Sequence, residues 1–589
     1  MIQSSTSMEI SSPPIRRLVL MLIRVLCYST PLPITPSLTS LLLEHSKTPL
    51  EEGRSSNPKI LQIMLRGLFL AGAVTVAVLA LIASQWTPPT APRITAIRQG
   101  RNNTVLFLTN SEHGIANVLV ATAYTLLERH PEVKVHYASF PSMARRLERI
   151  SERAREKRSS ARSIVYHELP DLSLMAIAMR QGGEPTSALP LHPPGHAGVK
   201  TIIRNMPSYI SPWSGEEHMR LFHKFTDIID EVDPSIVVLD TALRPAIHAT
   251  RNSSRLHAFI SPLTPIENFP LEQPYLGWLW KYPVMGSGIP FPVPWAKFLE
   301  NLYINIQYYY AMLHVSRFTE TRKYIASNGL ADSVNWYNIR NDDTPYFTQA
   351  LPGASIPVDV LPQNVTLTGP ILLSMTPAEK QVPVLTEWLA RAPTVLVSLG
   401  SMFVWTESHA TIMAQAIADT LAWRSDLQVL WKFMKLPYDA KGTTYGDEFM
   451  TPLRPYLENG RLKIESWLEV QPVSLLETGH IVASVHHGGA GCYSEALATG
   501  VPQLVLPQWL DNYSFAQLAQ SVGVGIWGCP DASPWWTTAC LRDAFATILG
   551  NASGDAIRSK AKHFSEIAQK DPGQHIAARE IAKLAASGY

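Results

Sequence analysis

One stretch, residues 481–512, limits what this 589-residue chain can fold into more than any other part of it. It contains an apolar run at 481–485, a glycine-rich turn at 488–491, a helical pattern over 493–499 and a second apolar run at 503–506. The order of strand, glycine turn, helix and strand predicts a βαβ unit of a parallel sheet. Backbone N–H groups of such a turn, together with the helix N-terminus, favour a bound phosphate.

Polar side chains occur at fixed places within this stretch. His487 precedes the glycine turn, Glu495 lies in the predicted helix, and Asp511 and Asn512 follow the second apolar run. Their order and spacing, with Gly489, resemble the donor-binding signature of the inverting UDP-sugar glycosyltransferases of the GT-B fold. The HHGGAG form found here most resembles the fungal and sterol branch of that family.

The resemblance implies an α/β architecture of two Rossmann-like domains whose parallel sheets face a cleft. We therefore expect an acceptor-binding domain over 95–370 and a UDP-sugar-binding domain over 371–589. The last helix of the second domain is expected to return to the first. The chain itself agrees with this at 104–139, where strand, helix and strand patterns alternate as in a βαβ opening.

The same resemblance assigns the contacts to the donor. The expected donor-binding residues are Ser401, Trp467, Gln471, His487, Gly489, Ala490, Gly491, Cys492, Glu495, Asp511 and Asn512. Trp467 is expected to stack on uracil, although a tryptophan in the core is the alternative. The chain departs from the family at two positions. Gln471 stands one position later than the glutamine of the family motif, and the side chain of Asn512 is one methylene shorter than the usual glutamine. These departures leave the identity of the transferred sugar undetermined.

Two residues are candidates for the chemistry of transfer. His113 follows the strand predicted at 104–109, and Asp240 follows the apolar run 235–239. Both residues are therefore at the carboxyl ends of parallel strands, where such sheets bind ligands. Because a histidine titrates near neutral pH, His113 is the expected general base. Asp240 is expected to hold its ring. A loop histidine and a helix-capping aspartate are the alternatives.

The N-terminal part has a different composition. Residues 1–58 are rich in Ser, Pro and Thr, and we expect them to be disordered. Residues 67–84 carry no charge over eighteen positions, which predicts a transmembrane signal anchor. A buried helix or a cleaved signal peptide is the alternative. The prediction is a single-pass protein of the endoplasmic reticulum or another endomembrane, and Lys and Arg before the span weakly favour a translocated body.

Composition excludes several other functions. A net charge of +2 gives no footprint for nucleic acid. The four cysteines form no CxxC pair, and no Asp-x-Asp occurs, so we expect neither a metal nor a cofactor besides the UDP-sugar. Cys529 and Cys540 would pair in an oxidising compartment, but two free thiols are the favoured interpretation. The basic segment 145–162 is interpreted as a solvated helix with internal ion pairs, or alternatively as a contact with an anionic membrane.

The predicted function is transfer of a hexose, glucose first, from a UDP-sugar to a hydroxyl of a lipophilic small molecule, with inversion. The acceptor class is a terpenoid, sterol, polyketide or other secondary metabolite. The segment 270–310, rich in Trp, Tyr and Pro, is either an acceptor wall, a membrane contact or a packed excursion. A non-catalytic scaffold that binds nucleotide sugars and a sugar-nucleotide epimerase are the rival functions.

Overall fold

Two sheets, each built of parallel strands, organise the chain. The computed structural model describes residues 97–182, 190–330, 344–435 and 445–589. The predicted disordered segment 1–58 and the predicted span 67–84 lie outside these residues. Within the described ranges, no helix has both the length and the apolar character needed to cross a bilayer.

The first sheet has seven strands in the order β3-β2-β1-β4-β5-β6-β7. Its strands are β1 (Arg101–Leu108), β2 (Lys134–Ser139), β3 (Val165–Glu168), β4 (Pro234–Leu239), β5 (His257–Ser261), β6 (Tyr346–Thr348) and β7 (Val365–Leu367). β1 and β4 pair in parallel, with Leu108 opposite Leu239. Helices cover both faces of this sheet, so its central strands are continuous apolar runs.

The helices of this half alternate with its strands. They are α1 (His113–Arg129), α2 (Ala144–Lys157), α3 (Leu174–Gly182), α4 (His196–Ile210), α5 (Gly215–Val232), α6 (Arg244–Asn252), α7 (Pro265–Asn268), α8 (Gly277–Trp280), α9 (Phe298–His314) and α10 (Ser316–Ser327). The segment 270–310 therefore contains short helical turns and most of α9. It is an ordered excursion between β5 and β6.

The second sheet has six strands in the order β10-β9-β8-β11-β12-β13. Its strands are β8 (Thr394–Val397), β9 (Gln428–Lys432), β10 (Leu462–Glu465), β11 (Ile481–His486), β12 (Gln503–Val505) and β13 (Gly525–Trp527). This is the strand order of a doubly wound nucleotide-binding sheet, in which ligands bind where the order reverses. The reversal lies between β8 and β11, as it lies between β1 and β4 in the first sheet.

The helices of the second half complete its two layers. They are α11 (Ala378–Gln381), α12 (Pro383–Leu389), α13 (Glu407–Trp423), α14 (Arg454–Glu458), α15 (Pro472–Leu476), α16 (Ala490–Thr499), α17 (Asp511–Val522), α18 (Thr538–Leu549), α19 (Asn551–Ala568) and α20 (Gly573–Ala585). Helix α20 packs into the core of the first sheet through alanines and Ile581. After it, the Tyr589 carbonyl accepts a 2.8 Å hydrogen bond from the N–H of Asn102, just inside β1.

Two parallel sheets with flanking helices confirm the predicted fold class. The strands expected at 104–109, 235–239 and 481–485 are present as β1, β4 and β11. Each is an apolar run because each is a central strand covered on both faces.

The preference for free thiols at Cys529 and Cys540 is wrong. The two cysteines form a disulfide, with their Cα atoms 5.6 Å apart. Cys529 lies just beyond β13 and Cys540 in the first turn of α18, so the fold brings together two positions whose distance the sequence spacing leaves open. Cys492 is the free cysteine of the described residues.

Candidate active site

A cavity of about 980 Å³ lies at the carboxyl ends of the two central strand pairs. Residues of both halves line it, including His113 and Arg146 from the first and Lys432 and Trp467 from the second. All eleven predicted donor-binding residues line this cavity, from Ser401 to Asn512. The strand ends thus bring His113 and Asn512, which are 399 positions apart in the chain, to the same cavity.

His113 reaches the cavity from the start of α1. Its ring centroid lies 6.3 Å from that of Trp467, so the two halves meet here edge to face. Loss of water around the imidazole, followed by the charges of Arg146 and Lys432, lowers the pKa of His113 to about 4. The ring is therefore neutral at pH 7 and has a nitrogen lone pair that can accept a proton.

Asp240 does not hold the His113 ring, so the predicted contact is not formed. Its carboxylate is buried and accepts hydrogen bonds from the backbone N–H groups of Asn110 (2.5 Å), Ala242 (2.7 Å) and Leu243 (2.7 Å). In the described structure it shares no hydrogen bond with His113 and is absent from the cavity wall. Asp240 instead ties the loop after β1 to the loop after β4, because both loops present N–H groups to it. Burial nevertheless raises the pKa of Asp240 to about 6.

Two glycines allow loops of the second half to approach each other closely. Gly488 has φ +90°, and a Cβ there would come within 2.7 Å of the Asn512 carbonyl oxygen. Gly400 has φ +84°, and a Cβ there would come within 2.5 Å of the His487 ring. Both positions therefore require glycine, which is what lets the loop after β8 pack on His487.

The two adjacent histidines of the turn have different roles. His486 is buried, accepts a 3.1 Å hydrogen bond from the Gly488 N–H at Nδ1, and has Nε2 3.0 Å from the Gln503 Oε1. These bonds place its proton on Nε2 and make it a support for the turn. His487 lines the cavity, and burial lowers its pKa to about 3, so it is neutral.

Helix α16 begins at the cavity without a side-chain cap. Gly489 stands at its N-cap position and makes no side-chain bond to the first turn. A Cβ at Gly491 would meet nothing within 4 Å, so open space lies beside the first turn. The first N–H groups of a helix have no intrahelical partner, and here they adjoin a cavity that suits an anion.

Lys432 was not among the site residues predicted from the sequence, although it ends strand β9 at the edge of the sheet where the cavity lies. Its Nζ lies 3.7 Å from the centre of the half-exposed Trp467 ring and donates a 2.9 Å hydrogen bond to the Gly400 carbonyl. Burial lowers the pKa of Lys432 to about 8, which leaves it mostly charged at pH 7. Trp467 is thus a cavity residue and not a core tryptophan.

Two carboxyl groups in the donor part of the cavity have raised pKa values. Burial, with a smaller effect of Glu477, raises the pKa of Glu495 to about 8. Burial and the nearby Glu267 raise that of Asp511 to about 7. Asn512 is almost fully buried, and its Oδ1 lies 3.4 Å from the backbone nitrogen of Gln508.

A buried histidine joins the two halves beside Asp511. The N–H of Leu510 donates a 2.9 Å hydrogen bond to His192 Nε2, and the hydroxyl of Tyr513 donates to the His192 carbonyl. The His192 N–H in turn lies 3.3 Å from the Gln508 carbonyl. Segment 190–195 of the first half therefore fixes the loop that presents Asp511.

A smaller cavity of about 130 Å³ adjoins the first one. Tyr209, Met285 and Leu510 line both cavities, so the two are neighbours. Its wall is mainly apolar and draws on α4, α9 and the segment after α8, with Tyr282 and Ile289 among its residues. One side of the segment 270–310 is thus an apolar wall. Its other side is exposed, with Trp295 at 71% and Leu299 at 72%.

Comparisons with known proteins agree with this geometry. Residues 467–583 match the family described as Erythromycin biosynthesis protein CIII-like, C-terminal domain. The glycosyltransferase sdnJ of Sordaria araneosa is 34% identical over 435 residues, which is 72% of this chain and 83% of that protein. A sterol 3-beta-glucosyltransferase of Aspergillus fumigatus is 45% identical over 81 residues, 14% of this chain and 5% of that protein.

A solved structure resembles the whole described fold. It is that of a UDP-glucosyltransferase from Polygonum tinctorium, with a TM-score of 0.54 and 17% identity, covering 83% of this chain and 100% of that one. At this identity the likeness concerns the fold, which is the GT-B arrangement of two parallel-sheet halves around a cleft.

Proposed function

This chain belongs to the UDP-glycosyltransferase family, and we propose that it transfers a hexose, glucose in the first instance, from a UDP-sugar to a hydroxyl group of a lipophilic small molecule. The observation that carries the proposal is the position of His113. A neutral imidazole from one half faces, within one cavity, the complete set of expected donor residues of the other. A cavity that only bound nucleotide sugar would not need a base there.

The proposed reaction is a single displacement. The acceptor oxygen attacks the anomeric carbon on the face opposite to the diphosphate, and the bond from that carbon to the diphosphate oxygen breaks. His113 takes the acceptor proton, and UDP leaves with the electron pair of the broken bond. One displacement inverts the configuration at the anomeric carbon. A pKa near 4 makes His113 a weak base, so its position next to the reacting hydroxyl matters more than its basicity.

The departing diphosphate needs positive charge. The N-terminus of α16 supplies N–H groups and the helix dipole, and Lys432 supplies a full charge a short distance away. Ser401 and His487 add donors from the loops after β8 and β11. These groups support a reaction that needs no metal ion.

The other expected donor residues are proposed to hold the nucleoside and the sugar. Trp467 has an exposed indole face for uracil, with Gln471 beside it at the start of α15. Glu495 and Asp511 are proposed to accept hydrogen bonds from ribose and hexose hydroxyls. Both have raised pKa values, so binding of these hydroxyls to the ionised carboxylates would release protons near pH 7.

The apolar second cavity supports a lipophilic acceptor. It opens beside the larger one at Tyr209, and its polar groups are few. A ring system or chain buried there would leave a hydroxyl near the larger cavity, where His113 stands. Terpenoids, sterols and polyketides with one free hydroxyl have this combination of a large apolar body and a single reactive group.

Membrane attachment is part of the proposal and rests on the apolar stretch 67–84. A single-pass anchor would place the enzyme where lipophilic acceptors concentrate. The Cys529–Cys540 disulfide supports a catalytic body on the oxidising side of an endomembrane, because structural disulfides persist in such compartments.

Release of UDP tests the proposal against its rivals. UDP-glucose is incubated with the protein, with and without a panel of sterol, terpenoid and phenolic alcohols. We expect UDP to be released only when an acceptor is added. Binding of UDP-glucose without release under any acceptor would favour the scaffold, and conversion of the sugar nucleotide without acceptor would favour the epimerase.

A further inference from the structure

Two arginines on helix α2 face the larger cavity with part of their hydrogen-bonding capacity unused. Arg146 and Arg149 are one turn apart and both line the cavity wall. The Nη2 of Arg146 donates to the Asn117 side chain. The Nε and Nη1 atoms of Arg146 and the Nε of Arg149 are buried and have no partner in the part of the chain that the structure describes. Buried donors are nearly always satisfied, so these three atoms point to a missing acceptor of hydrogen bonds.

The charge of the pair is also unbalanced. Over the described ranges, neither arginine forms an ion pair. The carboxylates of Glu112, Glu148 and Glu152 line the same cavity, but none of them is within ion-pair distance of either arginine. Glu148 and Glu152 are exposed, and the Glu112 carboxylate accepts a 2.9 Å hydrogen bond from the Met175 N–H. Burial, with the charge of Arg149, lowers the pKa of Arg146 to about 10, which still leaves it charged at pH 7. A buried guanidinium with a second cation beside it is stabilised most by a bound anion.

The expected internal pairing of this basic segment is therefore only partly present. Arg153 pairs with Glu156 at 2.7 Å on the outer face of the helix, whereas Arg146 and Arg149 face inward. A merely solvated helix would not place two guanidinium groups against a ligand-sized cavity.

We propose that Arg146 and Arg149 form a subsite for a carboxylate group of the acceptor, in the same cavity as His113. The pair belongs to the half opposite the donor signature, which makes the acceptor the source of the anion. Guanidinium groups match the planar geometry of a carboxylate and hold it through charge-assisted hydrogen bonds. The substrate class is thus a lipophilic hydroxy acid, whose apolar body lies toward the second cavity and whose hydroxyl lies near His113. This deepens the proposed transferase function and rests on it for the role of the bound molecule.

The test compares an acid with its ester. The probes are 6-hydroxy-2-naphthoic acid, its methyl ester and 2-naphthol, each with UDP-glucose, and transfer and equilibrium binding in the presence of UDP are both measured. We expect the wild-type chain to prefer the acid over the ester by about 10-fold or more in kcat/KM and in Kd, as charge-assisted hydrogen bonds provide. Arg146→Met/Arg149→Met should reduce this preference to about 1.

Matched variants separate the subsite from a structural role. Arg149→Met alone removes a side chain without a hydrogen-bond partner among the described residues, and it should lose part of the preference without a change in the melting temperature. Arg146→Lys should retain part of it. Arg153→Met, on the outer face of the same helix, should keep the wild-type preference.

The two proposals fail in distinguishable ways. Transfer to 2-naphthol without any preference for the acid overturns the carboxylate subsite and leaves the transferase function intact. Preferential binding of the acid that the arginine substitutions abolish, without transfer to any probe, supports the subsite and contradicts the function. The same variants are also assayed with UDP-glucuronate as the donor. If the substitutions change only the ratio of activities with UDP-glucuronate and UDP-glucose, the arginines belong to the donor site and the acceptor subsite is overturned.

Discussion

At the scale of single residues, the charge of Lys432 is expected to stabilise the bound donor. Lys432→Met should raise the KM for the UDP-sugar by about 10- to 100-fold, because a charge-assisted hydrogen bond contributes ~1.5–3 kcal/mol. Trp467 also loses the cation that lies on its ring. The measurement is initial-rate kinetics over donor concentration at saturating acceptor.

Lys435→Met is the matched control for Lys432. Lys435 lies three positions further on and pairs with Asp447 at 3.0 Å outside the cavity wall. Its substitution should leave the donor KM within about two-fold of wild type, as surface ion pairs contribute little. Equal effects of the two substitutions would contradict a specific role of Lys432.

Asp240 is expected to act through the loops that it joins. Asp240→Asn replaces one of the two carboxylate oxygens by an NH2 group. Either the Asn110 N–H or those of Ala242 and Leu243 then lose their acceptor, so the unfolding free energy should fall by ~1–3 kcal/mol. Turnover should fall with it, because the loop after β1 carries His113. In a His113→Ala background, Asp240→Asn should then change kcat little. An unchanged melting temperature, or losses in kcat that simply add, would contradict this role.

The single-residue predictions show which site residues and contacts a sequence determines and which it does not. His113 was predicted because it follows an apolar strand at the edge where parallel sheets bind ligands, and the donor residues because of the resemblance to a donor-binding signature. All of them line the same cavity. Lys432 follows such a strand too, and that position was the available signal. Arg146 and Arg149 gave none, since the pattern of the helix does not tell which arginines face a cavity. The contact of Asp240 depended on loop conformation, which strand patterns do not determine.

At the scale of elements, the central strands were predictable, whereas several strands of only three residues were not. β1, β4, β8 and β11 are buried on both faces and are therefore apolar runs that the sequence displays. β6, β7 and β13 have three residues each, too few to establish a periodicity. The Cys529–Cys540 bond was equally hidden, because it depends on the approach of α18 to the end of β13.

Helix α16 carries the prediction of metal independence. If its N-terminal N–H groups and Lys432 neutralise the diphosphate, millimolar EDTA should leave the turnover of UDP-glucose unchanged. Added manganese should not raise the rate by more than about two-fold. Loss of activity on chelation that manganese restores would contradict this account of the leaving group.

The predicted anchor is tested by deletion of residues 1–86. We expect the truncated chain to stay in the supernatant when membranes are sedimented, while its affinity for UDP stays that of the full chain. The exposed face of Trp295 and Leu299 provides the control. If the truncated chain instead sediments with membranes, Trp295→Ser/Leu299→Ser is then tested in that chain. Should this double substitution abolish sedimentation, the exposed face is a membrane contact and the segment 67–84 does not by itself explain membrane binding.

At the scale of the whole molecule, the proposed function depends on two halves that supply different groups. In this proposal the first half contributes the base and the second holds the donor. Helix α20 and the His192 contacts each connect the two halves. The arrangement as a whole was predictable from the resemblance, since the strand order of both sheets follows from it. The depth of the second cavity was not, because its walls come from several separate segments.

The most direct test of this division is His113→Ala, assayed for turnover and for UDP binding on the same preparation. His113 acts on the acceptor proton in the transition state, so kcat should fall by ~10²–10⁴-fold. The Kd for UDP should stay within about two-fold of wild type, because the nucleotide is held by Trp467, Glu495 and the turn at His487. Wild-type turnover in His113→Ala, or a loss of activity fully explained by weaker UDP binding, would contradict the claim that one half supplies the base and the other the donor site.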